Sequence, residues 1–387
     1  MRTLVVVLNW NGVDDTLSCL DALDRQTHDD FDALVIDNGS VGDDVARLRE
    51  RVEPAGLASR LGDGAAIRRD AGLAEHLEIR REGGDTAGSS RPPRNSETLG
   101  ERAARVTLHE EPENLGFAGG VNVGIRRAMA EGYDAVALLN NDAVPDPDWL
   151  AKLDEALERT GAMVATGLML RASEDPNLDG TIDTAGDAIS TWGMPFPRSR
   201  GDAPYAMPAG GPVFSASGGA SLFRTDLFRD IGLFDEKFFA YFEDVDIGFR
   251  ARLAGHAIVY DPEAVVRHKI GATSGRIPGF TVRQNFQNLP LLLVKNVPVG
   301  LRRMIVPRFV ILFTMMLAKA TLTGSAKPAW LGLIGGLRLA RGHGLRERAR
   351  IQSARRAHPS DIDAMLTHDL PPAQSGMRKV RRALRGR

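Results

Sequence analysis

Carboxylates crowd among aromatic rings in the stretch Phe234-Asp235-Glu236-Lys237-Phe238-Phe239-Ala240-Tyr241-Phe242-Glu243-Asp244-Val245-Asp246. Burying such groups is costly unless a cation or a reacting group compensates them, so chemistry that uses negative charge is the first expectation here. If Glu243 begins a helix running to about Leu253, successive side chains point about 100° apart. Glu243 and Asp244 are therefore not expected to enter one pocket together. Asp246 and Arg250, four apart, are expected to pair along the surface. That leaves Asp244 or Glu243 as the acid facing a cleft. The positive end of the helix favours its ionised form, which suits a general base.

Three other places carry candidate groups. The apolar run Ala135-Val136-Ala137-Leu138-Leu139 reads as a strand ending in Asn140-Asn141-Asp142. A carboxylate at a strand tip, with amides beside it, can hold Mg²⁺ or Mn²⁺, ions often completed by substrate phosphates; a turn aspartate remains an equal reading. Val265-Val266-Arg267-His268 ends an apolar run in a histidine, a candidate ligand or a solvated side chain. Glu113 to Gly124 is a glycine-rich turn entering a helix, with Asn114, Gly116 and Asn122 in it. Free N–H groups there could approach a phosphate or ribose. No Gly-x-Gly-x-x-Gly follows the first strand, which disfavours a dinucleotide-dependent oxidoreductase.

The elements that must position these groups read as α/β. Thr3 to Leu8 is a continuous apolar run, expected as a strand buried on both faces. Asn9-Trp10-Asn11-Gly12 turns the chain into a helix capped by Asp14. A second strand, Ala33 to Ile36, ends in Asp37-Asn38-Gly39-Ser40. Polar residues thus sit at the C-terminal strand ends, where open α/β sheets bind ligands. Residues 54–105 lack aromatics and are rich in Gly, Arg and Asp, which predicts a surface insertion, partly disordered. Ala162 to Phe223 reads as further strands and long loops, and Ala257 to Tyr260 as a strand of its own.

The chain of 387 residues can bury a large core, and its single Cys19 excludes an intramolecular disulfide. Net charge is −1, yet Arg338 to Arg387 holds 13 Lys/Arg against 4 Asp/Glu. Met304 to Leu322 and Ala329 to Leu339 are apolar but interrupted, short of the roughly 20 residues a membrane span needs. The expected arrangement is a catalytic domain over 1–298, interfacial helices over 299–345, and a basic tail over 346–387 drawn to an anionic membrane surface. No signal-peptide pattern precedes the first strand, so the cytosolic face of the membrane is expected. Nucleic acid is a poor partner, since aromatics do not interleave with the basic residues.

Taken in order, these motifs resemble the family 2 glycosyltransferases of GT-A fold, and among them the rhamnosyltransferase-like branch. The resemblance covers about Thr3 to Pro298, without the insertion. It rests on Val6-Val7-Leu8-Asn9-Trp10-Asn11-Gly12, Val35 to Ser40, Glu113 to Asn122, Leu138 to Asp142, Phe234 to Arg250 and Val266-Arg267-His268. It implies a mostly parallel central sheet flanked by helices and inverting transfer from a nucleoside-diphosphate sugar to a hydroxyl of a glycan or polyprenyl-linked glycan. Asp37 and the residues Leu8, Asn9 and Asn11 would contact the nucleoside, with Asn114, Gly116, Asn122, Asn140 and Asn141 beside the donor. Asp244 would be the base, Glu243 its support, and Asp142 with His268 the cation ligands. Where the family usually has Asp-x-Asp, this chain has Asn140-Asn141-Asp142 and keeps only the last carboxylate. Arg283-Gln284-Asn285 resembles a diverged element near the donor diphosphate. The competing expectation is a non-catalytic sugar-nucleotide-binding subunit of a membrane assembly.

Overall fold

The computed structural model describes residues 1–52, 105–269 and 277–369. The expected insertion, Arg105 apart, and the end of the basic tail lie outside the described residues. The chain opens with β1 (Thr3–Asn9), α1 (Val13–Leu23), β2 (Phe31–Asn38) and α2 (Asp44–Val52). It continues through β3 (Val106–Glu111), α3 (Gly116–Ala130), β4 (Ala135–Asn140), β5 (Ala143–Pro145), α4 (Trp149–Thr160) and β6 (Val164–Arg171). Short strands follow: β7 (Ile182–Thr184), β8 (Asp187–Ile189), β9 (Pro195–Pro197) and β10 (Gly211–Pro212). Then come β11 (Ala220–Arg224), α5 (Thr225–Ile231), α6 (Glu243–Leu253) and β12 (Ile258–His268). Helices close the chain: α7 (Phe280–Asn296), α8 (Val299–Leu322), α9 (Ala326–Leu339), α10 (Leu345–Ser353) and α11 (Pro359–Met365).

The sheet has the order β10-β12-β6-β11-β4-β1-β2-β3, with β5 on β12 and β7 on β6. Strands β1, β2, β3, β4, β6 and β12 run one way; β11 lies antiparallel between β4 and β6. The register sets Asn9 opposite Asp37 and Leu8 opposite Asn140, so three polar strand ends reach the same edge. Both faces are covered. Leu4, Val6, Leu34 and Ile36 enter one core and Val5, Val7 and Val35 the other, alternating as a pleated strand requires. Cys19 is fully buried in the second core.

Several sequence expectations change. Asp14 does not cap α1; Gly12 precedes the helix and Asp14 lies in its first turn. Ala257–Tyr260 and Val265–His268 belong to one strand, β12, whose register on β6 shifts between Tyr260 and Val265. Asp246 and Arg250 do pair, at 2.9 Å, but in the interior, because α7 covers them. There Lys295 Nζ reaches Asp246 at 2.9 Å and also contacts Asp235, while Asn296 Nδ2 donates to Asp246 at 2.7 Å. Burial raises the Asp246 carboxyl, but the Lys295 and Arg250 charges outweigh it and hold it low.

The segment expected to open the basic tail is folded through residue 369. Ile351 and Ile362 join Phe249 and Leu291 in a third core, and Thr367 N donates to Ile189 O at 2.9 Å. Pro307 and Arg308 do not break α8, which runs 24 residues and is long and apolar enough to cross a membrane by length and composition.

Candidate active site

At the polar edge of the sheet lies a cavity of about 610 Å³. Leu8, Trp10, Asn38, Asn114 and Gly116 line one part; Asn140, Asn141, Asp142, Asp183, Asp187, Arg200, Glu243, Asp244 and His268 line the rest. A second hollow, of about 780 Å³, lies between α4 and β12 beside the Arg159–Asp261 ion pair at 2.8 Å. It holds none of the predicted site residues.

Asp244 projects from the first turn of α6. Its Oδ2 accepts from Gly218 N at 3.1 Å and its Oδ1 from Val245 N at 2.8 Å. A side chain on Gly218 would press on Phe117 and Asp244 (3.1 and 3.4 Å), so the small residue permits the approach. Burial raises the Asp244 carboxyl, and those backbone donors only partly offset it. The expected preference for the ionised form at the helix N-terminus is thus overridden by desolvation. Glu243 lines the same cavity, against the expectation that only one of the pair would, because the cavity wraps the N-terminus of α6. Burial and then the Asp244 charge push Glu243 well up, and its Oε2 has no hydrogen-bond partner.

The loop before α6 is strained. Phe239, Tyr241 and Phe242 have φ of 62°, 71° and 69°, left-handed values that bulky residues rarely adopt. Asn288 of α7 holds the loop: its Nδ2 donates toward Phe238 O (2.9 Å), Ala240 O and Tyr241 O (both 2.8 Å). Gln284 Nε2 adds a bond to Phe238 O at 3.1 Å. Sequence reasoning pointed to Arg283 in this helix; Arg283 is exposed and outside the cavity lining, while Gln284 and Asn288 face the loop.

The glycine turn serves the same loop rather than an anion. Gly116 N donates to Asn114 Oδ1, Leu115 N to Asn38 Oδ1, and Ala118 N to Phe239 O at 3.2 Å. The N–H groups of Leu115, Gly116 and Ala118 are therefore engaged. Gly116 has φ +72°, and a Cβ there would sit 2.5 Å from Phe239 O, so only glycine fits. Asn122 lies deeper, donating to Phe234 O and Glu236 at 2.9 Å, away from the cavity.

Asn9 and Asp37 also sit behind the lining. Asn9 Nδ2 donates to Asp37 Oδ1 at 2.8 Å and Asp44 Oδ2 at 3.0 Å, and Ser40 N donates to Asp37 Oδ2 at 3.0 Å. Asn11 Oδ1 accepts from Val41 N at 2.8 Å, and Asn11 is likewise outside the lining. These residues shape the turns that bring Leu8, Trp10 and Asn38 to the surface of the cavity. Asn141 lines it, with its Nδ2 on Thr16 Oγ1 at 3.1 Å.

Asp142 and His268 meet, with Nε2 3.2 Å from Oδ1. His268 Nδ1 contacts Asp183 Oδ2 at 2.9 Å, and Arg200 bonds Asp183 at 2.8 Å. Burial lowers the imidazole, but the two carboxylates outweigh it and hold His268 at about 9. Asp183 and Asp187 were missed from sequence; they come from β7 and β8 within the loop-rich stretch. Asp187 is raised well above the usual range by burial and then by the Asp244 charge.

Among the described residues no group of three or more His, Cys, Asp or Glu is arranged to hold a metal ion. The donor set nevertheless fits an ion that takes two protein ligands and completes its shell on phosphates. Asp142 Oδ1 and His268 Nε2 lie 3.2 Å apart with Asp183 on the other ring nitrogen, and an ion held by both would take the place of the proton that His268 otherwise keeps.

A mixed sheet with a carboxylate-rich cleft across the ends of its parallel strands defines an α/β protein built for ligand chemistry at a topological switch point. Residues 97–288, just under half of the chain, match the family described as glycosyltransferase-like family 2. The mostly parallel sheet flanked by helices is the architecture expected from the sequence. Over 196 residues the chain is 30% identical to the N-acetylglucosaminyl-diphospho-decaprenol L-rhamnosyltransferase of Mycobacterium tuberculosis, covering 46% of this chain and 63% of that protein. It is 28% identical over 149 residues to the low-salt glycan biosynthesis hexosyltransferase Agl10 of Haloferax volcanii, covering 36% and 44%. The chain thus spans under two thirds of the length of either relative. Among solved structures, the mannosyltransferase PcManGT from Pyrobaculum calidifontis, in complex with GDP-Man and Mn²⁺, aligns over 91% of this chain and 84% of its own, at 17% identity and TM-score 0.47.

Proposed function

We propose that the chain is an inverting glycosyltransferase that moves a sugar from a nucleoside-diphosphate donor to a hydroxyl of a glycan or lipid-linked glycan. The observation that carries this reading is the Asp244 carboxylate, fixed by Gly218 and Val245 N–H groups inside the cavity that also holds Asp142 and His268. Leu8, Trp10, Asn38 and Asn114 form the nucleoside end, at the tips of β1 and β2. Asp244 accepts the proton of the acceptor hydroxyl as that oxygen bonds the anomeric carbon. The bond from that carbon to the diphosphate breaks on the opposite side, so one displacement inverts the configuration.

Asp142 and His268 would hold Mg²⁺ or Mn²⁺, which supplies positive charge to the leaving diphosphate. Asp183 keeps the His268 ring turned toward that point. Burial raises the Asp244 carboxyl and makes it a stronger base than a free aspartate, and a binding subunit has no use for one. A rhamnosyl donor and a polyprenyl-linked acceptor on the cytosolic membrane face are the specific substrates proposed, on the likeness to the mycobacterial enzyme. Thermal-shift screening of nucleotide sugars, followed by a product assay with the one that stabilises most, tests the reading. A shift with a nucleoside-diphosphate rhamnose and an inverted product are expected; stabilisation by no nucleotide sugar in the presence of Mn²⁺ contradicts it.

A further inference from the structure

From Ala264 to Arg346 the sequence carries 13 Lys or Arg and no Asp or Glu, although the whole chain has 50 acidic residues. Within that stretch α8 and α9 pack against each other around a turn. The buried residues of α8, Leu301, Ile305, Leu312 and Phe313, keep to one stripe against the protein. Outward stand Val310, Ile311 and Met315 of α8 with Trp330, Leu331 and Ile334 of α9, each between 45 and 55% exposed. Six large apolar side chains left half in water make a patch on the order of several hundred Å², the size that marks an interaction site.

This patch adjoins the cavity. The α8–α9 turn meets the start of α7, where a Cβ on Gly279 would lie 3.1 Å from Pro328. Phe280, the next residue, lines the cavity together with Ile277 and Tyr241, and its ring packs on Tyr241 at 6.2 Å. Ile277 is 40% exposed. An apolar path therefore leads from the helical hairpin to the cavity mouth.

We propose that the α8–α9 face rests on an anionic bilayer and that the Tyr241–Ile277–Phe280 rim is the passage by which the lipid chain of a membrane-borne acceptor brings its sugar into the cavity. Charge selects this occupant. The two helices of this face carry Arg302, Arg303, Arg308, Lys319, Lys327 and Arg338 and no acid, a charge that repels a second copy of itself and matches acidic lipid headgroups. The passage rests on the transferase reading; the docking face does not.

Flotation of the full chain with vesicles of phosphatidylcholine and phosphatidylglycerol tests the face directly. The chain is expected to float with these vesicles and at least tenfold less with phosphatidylcholine alone. The triple variant Ile311→Glu, Trp330→Glu, Ile334→Glu, checked for unchanged circular dichroism, is expected to stay at the bottom. The same variant should transfer to a short-chain water-soluble diphospho-N-acetylglucosamine acceptor within twofold of wild type, while losing tenfold or more on a long-chain polyprenyl acceptor in vesicles. A benzoylphenylalanine in place of Ile277 should photo-crosslink to vesicle lipid, and one in place of Val41 should not. Equal flotation of wild type and variant, or a dimer that the variant merely dissociates, overturns the docking face. Absence of lipid crosslinks from position 277 overturns the passage. Inactivity on every acceptor would sink the transferase reading while flotation and crosslinking still decide this one.

Discussion

Replacing Asn288 with alanine should impair the protein although Asn288 does not itself line the cavity. Its amide draws in three carbonyls of the loop that delivers Glu243 and Asp244, at 2.8 to 2.9 Å. The amide has two N–H groups to share among the three carbonyls, so at about 1 kcal/mol for each net hydrogen bond the clamp is worth about 2 kcal/mol. The loop stores strain at least that large, since Phe239, Tyr241 and Phe242 all hold left-handed φ, at ~1–3 kcal/mol each. Without the clamp the strained form loses its advantage over relaxed ones. If the loss of about 2 kcal/mol falls on the competent loop conformation, turnover drops about thirtyfold. Gln284→Ala removes a single bond to Phe238 O and should cost about half as much in free energy. Steady-state transfer and urea unfolding of both variants measure this. Asn288→Ala turnover within threefold of wild type, with an unchanged unfolding midpoint, would refute the clamp.

Further outcomes follow from the site. Asp142→Ala should weaken Mn²⁺-supported donor binding tenfold or more by calorimetry, and donor affinity that is equal with and without the ion in both proteins would contradict the ligand assignment. Because burial raises the Asp244 carboxyl, transfer should fall as pH drops through that raised value, and a rate flat down to pH 4 would exclude a base there. Glu243 is raised well above its ordinary value, so the folded state holds its proton where the unfolded state does not. Its contribution to stability is present below the unfolded value and lost as pH rises through the folded one. Glu243→Gln should therefore be more stable than wild type by denaturant unfolding at pH 8, with the gain vanishing near pH 4; no gain at pH 8 would contradict the burial argument.

The β-α-β opening and the strand tips were legible because their signals are local: alternating burial of a continuous apolar run, then polar residues where it stops. Asp142 and His268 could be assigned to one edge on that logic, whereas Asp244 was singled out from Glu243 only by the family resemblance. What lay beyond it depends on packing between distant segments. Asp246 and Arg250 have helical spacing whether the face is wet or covered, and only α7, with Lys295 and Asn296, decides that it is covered. Asp183 and Asp187 sit on strands of three residues, too short for a pattern. Asn288 has no sequence signature as a clamp, since its partners are backbone carbonyls some 50 residues away. The glycine turn kept its conformational meaning, but its N–H groups went to Asn38, Asn114 and Phe239 in place of a phosphate. Met304 to Leu322 read as too interrupted for a membrane span, yet one helix, α8, runs from Val299 to Leu322 and is long and apolar enough by length and composition.

The account stands most directly on Asp244→Asn, assayed side by side for donor binding by calorimetry and for product formation. The amide keeps the shape and can still lie beside the Gly218 and Val245 N–H groups, but it cannot accept the hydroxyl proton. Donor affinity within threefold of wild type with transfer reduced a thousandfold or more is the predicted result. Near-normal turnover in that variant would contradict the placement of the base.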